Sequence, residues 1–214
     1  MTSQAHCELC MEFAGHGSMR LARAPLAPAS RTLYRSADFV VVPTIGPIVV
    51  GHVLICPVQH RRSIAVALAE GDTGFASALR NVQVSLQQLA PRLPAFLFEH
   101  GMSADGSERC GACMDHAHLH IVPAQECMKR VRSELDGWKQ VTWDTLPSAV
   151  GLGGYLLMAE LGGGLLVRPG PAFVPSQYFR RIVAAAHDVA EWNWRVDPAW
   201  GNLRETVDRW PRNP

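Results

Sequence analysis

The stretch D-H-A-H-L-H-I-V-P, residues 115–123, carries a histidine at every second position. With 9 histidines in 214 residues, chance places this spacing somewhere with a probability of only about 0.016. In an extended chain, successive side chains point to opposite faces, so His116, His118 and His120 share one face while Ala117, Leu119 and Ile121 share the other. A strand face carrying three imidazoles suits three roles. The rings can ligate a catalytic metal that keeps an open water position, supply a nucleophile, or pack as a structural row. The last is disfavoured, because three adjacent imidazoles are hard to satisfy in a core. What separates the first two is where the other metal ligands lie.

The segment C-E-L-C, residues 7–10, has the two-residue spacing that lets two thiolates of one turn, Cys7 and Cys10, reach one ion. Two cysteines need two more ligands. His60, directly after the strand-like run ending V-Q-H, and one histidine of the row would complete a closed Cys₂His₂ tetrahedron holding Zn²⁺ as a structural ion. Such a site would fasten the N-terminal arm to the sheet. The alternative is a pair of loose thiols near a frayed terminus, with His6 as a spare ligand. Cys56 and Cys127 read as packing residues. Cys110 and Cys113 form a second pair, in the loop 101–115; a second metal or a disulfide would explain it, and Cys113 alone could be a weak donor or a redox-sensitive thiol.

These residues need elements to position them. Leu33–Tyr34, Phe39–Val42 and Val49–Pro57 read as successive strands of an antiparallel meander. From Asp72, a candidate N-cap, apolar residues at Phe75, Leu79, Val82, Leu86 and Leu89 keep helical spacing until Pro91. A short strand over Phe96–Phe98, the glycine-containing loop and the histidine strand follow. G-Y-L-L-M-A-E and L-L-V-R-P around L-G-G-G predict a late hairpin, and Ser176 caps a helix over Gln177–Trp192. Strands first, then a helix, more strands and a terminal helix make the class α+β with an antiparallel sheet of about five strands, a helix packed on it and a C-terminal helical extension. The chain divides into an arm (1–30), a core (31–124) and an extension packed on that core (125–214).

Composition sets the outer bounds. A hydrophobic content of 48% against 18% charged residues describes a folded chain rather than a disordered one. A formal net charge of +1 offers no general footprint for nucleic acid, so any phosphate chemistry is local. Residues 39–58 are uncharged, but prolines and glycines break the run into two buried strands rather than a membrane span. The N-terminus lacks the features of an export signal, so the expected location is cytoplasmic.

G-H-V-L-I-C-P-V-Q-H (51–60), F-E-H-G (98–101) and H-A-H-L-H-I-V-P (116–123) together resemble the histidine triad (HIT) proteins, nucleotide hydrolases and transferases, over roughly residues 30–123. The resemblance implies that His118 attacks the α-phosphate of a nucleotide, with His120 and His52 orienting it or contacting phosphate. It implies zinc on Cys7, Cys10, His60 and His116, the same ligand count that the cysteine spacing requires, and a homodimer. An unperturbed imidazole near pKa ~6.5 is already largely a free nucleophile at neutral pH. A third histidine implies hydrolysis rather than uridylyl transfer.

Gly101, Ser107, Glu99 and Cys113 are the candidate substrate contacts. Gly101 and Ser107 would belong to a phosphate-binding nest, with Ser103 or Arg109 assisting, although an ordinary surface loop explains these glycines as well. The chain departs from the family pattern at Glu99, where many relatives place Asn, and at Ala112 and Cys113, where they place Gln and a hydroxyl residue. A carboxylate beside phosphate is repulsive, so Glu99 is expected to face a sugar hydroxyl or a cation.

Overall fold

The computed structural model describes residues 7–18, 20–24, 28, 30–105, 114–170 and 174–212. One antiparallel sheet organises them. Its strands are β1 (Tyr34–Arg35), β2 (Phe39–Pro43), β3 (Val53–Pro57), β4 (Ala95–Gly101), β5 (Leu119–Pro123), β6 (Lys139–Val141), β7 (Tyr155–Glu160) and β8 (Leu165–Pro169). They lie in the order β1-β2-β3-β5-β4-β7-β8-β6. The uncharged segment 39–58 forms β2 and β3, both buried along their whole length, as its punctuation by proline and glycine predicts. Among the described residues no helix is long and apolar enough to cross a membrane.

The sheet has eight strands rather than about five. The extra three come from the segment after residue 124, whose hairpin of β7 and β8 does more than pack on the core. β7 hydrogen-bonds along β4 from Phe96↔Glu160 to Gly101↔Tyr155, and β6 adds to β8. The glycine-rich turn is where the hairpin was expected, with the Gly163 N–H donating to the Glu160 carbonyl at 2.8 Å.

The sheet's two faces have different covers. On the first, Phe39, Val41, Ile55, Leu97, Leu119 and Leu157 pack beneath α2 (Ile64–Ala69), α3 (Phe75–Leu89) and α5 (Leu146–Val150). On the second, Phe96, Phe98, Val122, Leu156 and Met158 pack beneath α4 (Cys127–Glu134) and α6 (Tyr178–Ala186). Further along that face the N-terminal arm, with α1 (Glu8–Met11), buries Cys7 and Leu9 against Val40, Val42, Leu54 and Cys56. A last helix, α7 (Trp200–Arg209), sends the Thr206 hydroxyl to accept the Gly51 N–H at 2.9 Å.

Two helix starts differ from expectation. Asp72 caps nothing. Its carboxylate takes two hydrogen bonds from Arg61, at 2.8 and 2.9 Å, and α3 starts after Gly74, whose φ of +87° suits a residue without Cβ. Ser63, not singled out from sequence, caps α2 by accepting the Val66 N–H at 3.2 Å. The helix expected over 177–192 begins after Gln177 and ends at Ala186.

Candidate active site and metal cluster

β5 supplies the centre of the site. From residue 117 the alternation holds. Ala117, Leu119 and Ile121 go to the first face, and His118 and His120 open onto a cleft on the second. Only His120 belongs to the strand itself; His116 and His118 lie on its approach. The three rings therefore do not converge. Each is held by a different partner.

His116 is fully buried. Its Nε2–H donates to the Pro57 carbonyl at 2.8 Å, which leaves the Nδ1 lone pair facing the Cys7 and Cys10 sulfurs at 3.3 and 3.4 Å. His60 Nδ1 lies 3.3 Å from Cys10 Sγ, and its Nε2 lies 3.8 Å from an Asp115 carboxylate oxygen. The four ligand atoms of Cys7, Cys10, His60 and His116 all fall within 4.8 Å of one another. Among the described residues this is the one group of three or more such side chains that could hold a metal ion. Burial pulls His116 down to about 4, keeping the ring neutral. Burial, and then the neighbouring Cys7, push the Cys10 thiol up to about 12; a thiolate there needs a cation beside it.

His118 is half-buried. Its Nδ1–H donates to the His116 carbonyl at 2.7 Å, so the opposite nitrogen, Nε2, carries the lone pair. Burial lowers its pKa from the ordinary imidazole value, and the ring is neutral and basic at neutral pH.

The next two rings form a relay. The Ile48 N–H meets His52 Nδ1 at 3.4 Å, which makes that nitrogen an acceptor and leaves the proton on Nε2. His52 Nε2–H then donates to His120 Nδ1 at 2.9 Å. By the same logic His120 carries its proton on Nε2. Both rings are buried, and burial holds each well below the ordinary value. Phe98 stacks on His120 at 4.4 Å between centroids and 9° between planes, fixing the ring's orientation.

The cleft holds a cavity of about 80 Å³ that opens to solvent. One wall comes from the N-terminal arm with Glu12 and from Arg31 just after it, and the other from the C-terminal segment, with Gln177, Phe179, Arg180 and Trp194. Arg31 is buried and doubly bonded to the Glu12 carboxylate, at 2.8 Å twice, and also donates to the Pro43 carbonyl. Arg180 is buried and donates to the carbonyls of Trp192, at 3.0 Å, and Gly46. Gly46 itself, at φ +67°, has the Trp194 Cβ where its own Cβ would stand, at 2.5 Å. The C-terminal wall is thereby clamped onto the turn after β2. Of the two adjacent arginines on α6, Arg180 is buried and Arg181 is exposed.

Glu99 and Gly101, expected as substrate contacts, both lie on the first face, away from the cleft that holds His118. The Glu99 carboxylate accepts the Ile64 N–H at 2.8 Å and the Tyr155 hydroxyl, and burial pushes it up to about 7. A Cβ on Gly101 would stand 2.4 Å from the Tyr155 ring. One residue supports α2 and the other lets a tyrosine approach; neither lines the cleft. Ser107 and Cys113 lie outside the described residues, as do Arg109, Cys110 and His6.

Sequence reasoning passed over His100. It lines the cleft beside His118 and His120. The period-two signal was present in F-E-H-G, since Phe98 and His100 must share a face, but which face required the pairing Phe98↔His120.

Comparison with solved structures returns histidine triad proteins and their kin. The chain is 19% identical to a hypothetical histidine triad nucleotide-binding protein of Sulfolobus tokodaii (55% of this chain, 68% of that one, TM-score 0.37). It is 21% identical to a Hit-like protein of Bartonella henselae involved in cell-cycle regulation (44% and 65%, 0.33). It is 15% identical to yeast Ap4A phosphorylase (76% and 71%, 0.42). No family model matches the sequence, and no curated protein does.

Proposed function

We propose that the chain is a nucleotidyl hydrolase or transferase that works through a covalent intermediate on His118. One observation carries the reading. The His118 ring is fixed by its Nδ1–H donation to the His116 carbonyl, so a bare Nε2 lone pair stands at the floor of an open cleft. An imidazole in that state needs no separate base. In the first step Nε2 bonds to the α-phosphorus of a nucleotide, the bond from phosphorus to the leaving group breaks, and the leaving group departs with the electron pair and takes up a proton from solvent. In the second, water or another acceptor bonds to phosphorus and gives up its proton to solvent as the P–N bond breaks, returning its pair to Nε2. The relay from Ile48 through His52 presents the His120 Nε2–H as a donor for phosphate oxygen. Dinucleoside polyphosphates and nucleoside phosphoramidates are the substrate classes to try first.

The Cys₂His₂ cluster is assigned to a structural zinc. Tetrahedral Zn²⁺ with Zn–S near 2.3 Å and Zn–N near 2.0 Å sets sulfur–nitrogen edges at about 3.5 Å, and the three such contacts here measure 3.3 to 3.4 Å. His116 and His60 each turn Nδ1 inward, and the Pro57 carbonyl and Asp115 stand behind them as outer partners. All four positions are taken by protein atoms, so the ion would fasten the arm to the sheet and leave the reaction to the cleft.

The test is intact-mass spectrometry of protein quenched within milliseconds to seconds of mixing with such nucleotides, followed by mapping of the modified peptide. A nucleotidyl adduct on 116–123 that disappears on chase, and is absent from His118→Asn, is the expected result. Turnover by His118→Asn would end the assignment. Retained AMP binding with no turnover of any substrate would make the chain a binding module instead.

A further inference from the structure

Three histidines of the cleft come from two strands. His118 and His120 ride on β5 and its approach, while His100 rides on β4. The β4–β5 register pairs Phe96↔Val122 and Phe98↔His120; His100, two residues past Phe98 on β4, shares its face and lines the same cleft as His118. Sheet order then decides the arrangement around the nucleophile. The relay through His52 approaches from the β3 side, and His100 approaches from the β4 side.

His100 has the attributes of a ligand-facing group. It is half-buried and lines the cleft. Neither of its ring nitrogens takes a hydrogen bond from, or gives one to, any described residue, in contrast with His52, His116, His118 and His120, each of which does. Burial, and then His118, pull it down to about 4, so the ring is neutral and carries one N–H. The two cleft arginines are engaged with Glu12, Pro43, Trp192 and Gly46. Glu99, its sequence neighbour, points to the other face. Among the described residues, the His120 ring flanks His118 on one side of the cleft and the His100 ring on the other.

We propose that His100 contacts the substrate directly, donating to one non-bridging oxygen of the phosphoryl group that His118 attacks while His120 serves the other. This rests on the nucleotidyl-transfer reading and adds a residue to it. A tetrahedral α-phosphorus has two such oxygens that differ in stereochemistry. A donor on each flank makes them inequivalent.

The experiment compares the Rp and Sp α-phosphorothioates of an adenosine 5′-phosphoramidate with the all-oxygen compound, on wild type, His100→Phe and His100→Gln. Phenylalanine keeps a flat ring and removes the N–H; the glutamine amide restores a donor. His100→Phe should lower kcat by roughly 100-fold, the usual cost of one oxyanion donor, with a smaller change in KM. It should erase at least tenfold of the discrimination against one diastereomer and leave the other alone. His100→Gln should recover a substantial part of both. A His100→Phe enzyme within twofold of wild type overturns the proposal. So does loss of rate in both variants with the diastereomer preference intact, because that is the mark of packing alone. Zinc content and melting temperature equal to wild type establish that the variants fold; if His100→Phe does not meet that standard, the diastereomer ratio of His100→Gln decides alone. Failure of the parent reading is separate, since wild type would then form no adduct on His118 at all.

Discussion

His116 and His118 stand two residues apart on the approach to β5, yet their rings have opposite surroundings. Around His116, four donor atoms close on one another within 4.8 Å, every position filled by the protein. Around His118 the His52 and His120 rings are bonded to each other, and the cleft side of the proposed nucleophile stays open. On the function proposed above, convergence makes a fastener and divergence makes a reactive floor. The backbone carbonyls decide which is which: Pro57 takes the proton of His116 Nε2, and the carbonyl of His116 takes that of His118 Nδ1. The same strand approach therefore exposes Nδ1 in one ring and Nε2 in the next.

The strongest way to break that contrast is to exchange the reactive ring. His118→Asn should lower turnover by about 10⁴-fold or more and leave zinc content and melting temperature unchanged, as assayed by elemental analysis and calorimetry. In the wild type, because burial lowers the pKa of His118, the acid limb of kcat/KM should fall below pH 6.5. Activity is lost only as pH drops through that lowered value, and a limb at or above 6.5 would contradict the assigned state.

Cys10→Ser attacks the other site and should give the mirror result. Loss of a structural ligand should cost about 3 kcal/mol or more, equivalent to roughly 6–12 °C in a domain of this size. The kcat at low temperature should stay within a fewfold. A variant that loses catalysis while keeping its melting point would mean that the metal cluster serves the reaction.

The first face supplies a control. Glu99 is held up to about 7 against an ordinary 4.5, so across that window the folded chain keeps a proton the unfolded chain has released. This one carboxyl makes stability fall as pH rises from 4.5 through 7. Glu99→Gln has no proton to lose, and its amide can donate to Tyr155 while its oxygen accepts from Ile64. The stability difference between variant and wild type should therefore shift toward the variant by up to about 3 kcal/mol over that window. Denaturant melts at four pH values measure it, and a gap that does not move with pH refutes it.

The smallest effect is expected at the cleft wall. Trp194→Leu should raise KM about fivefold, on the order of 1 kcal/mol of lost aromatic contact, with kcat unchanged in steady-state assays.

The chemistry-bearing residues were legible in the sequence to an unusual degree, and for a local reason. Alternation along an extended chain and the spacing of C-x-x-C are geometric properties of a few consecutive residues, so His116, His118 and His120 and the Cys7–Cys10 pair declared themselves without any knowledge of the fold. Hydrophobic runs broken by proline likewise announced β2 and β3. Pairing is not local. Which face of β4 meets the histidines depends on a register set by contacts more than twenty residues away in sequence, and that register turned Glu99 from an expected substrate contact into a buried support for α2 and turned His100 toward the cleft. The same limit applies to the hairpin of β7 and β8: its two strands were readable, but its attachment to the open edge of β4, which makes the sheet eight strands wide, is a matter of backbone hydrogen bonds that any edge strand could have accepted. Side-chain identity fixed what chemistry was available; only tertiary packing, by assigning each imidazole proton to a particular carbonyl or ring, fixed where a lone pair would be left facing the cleft.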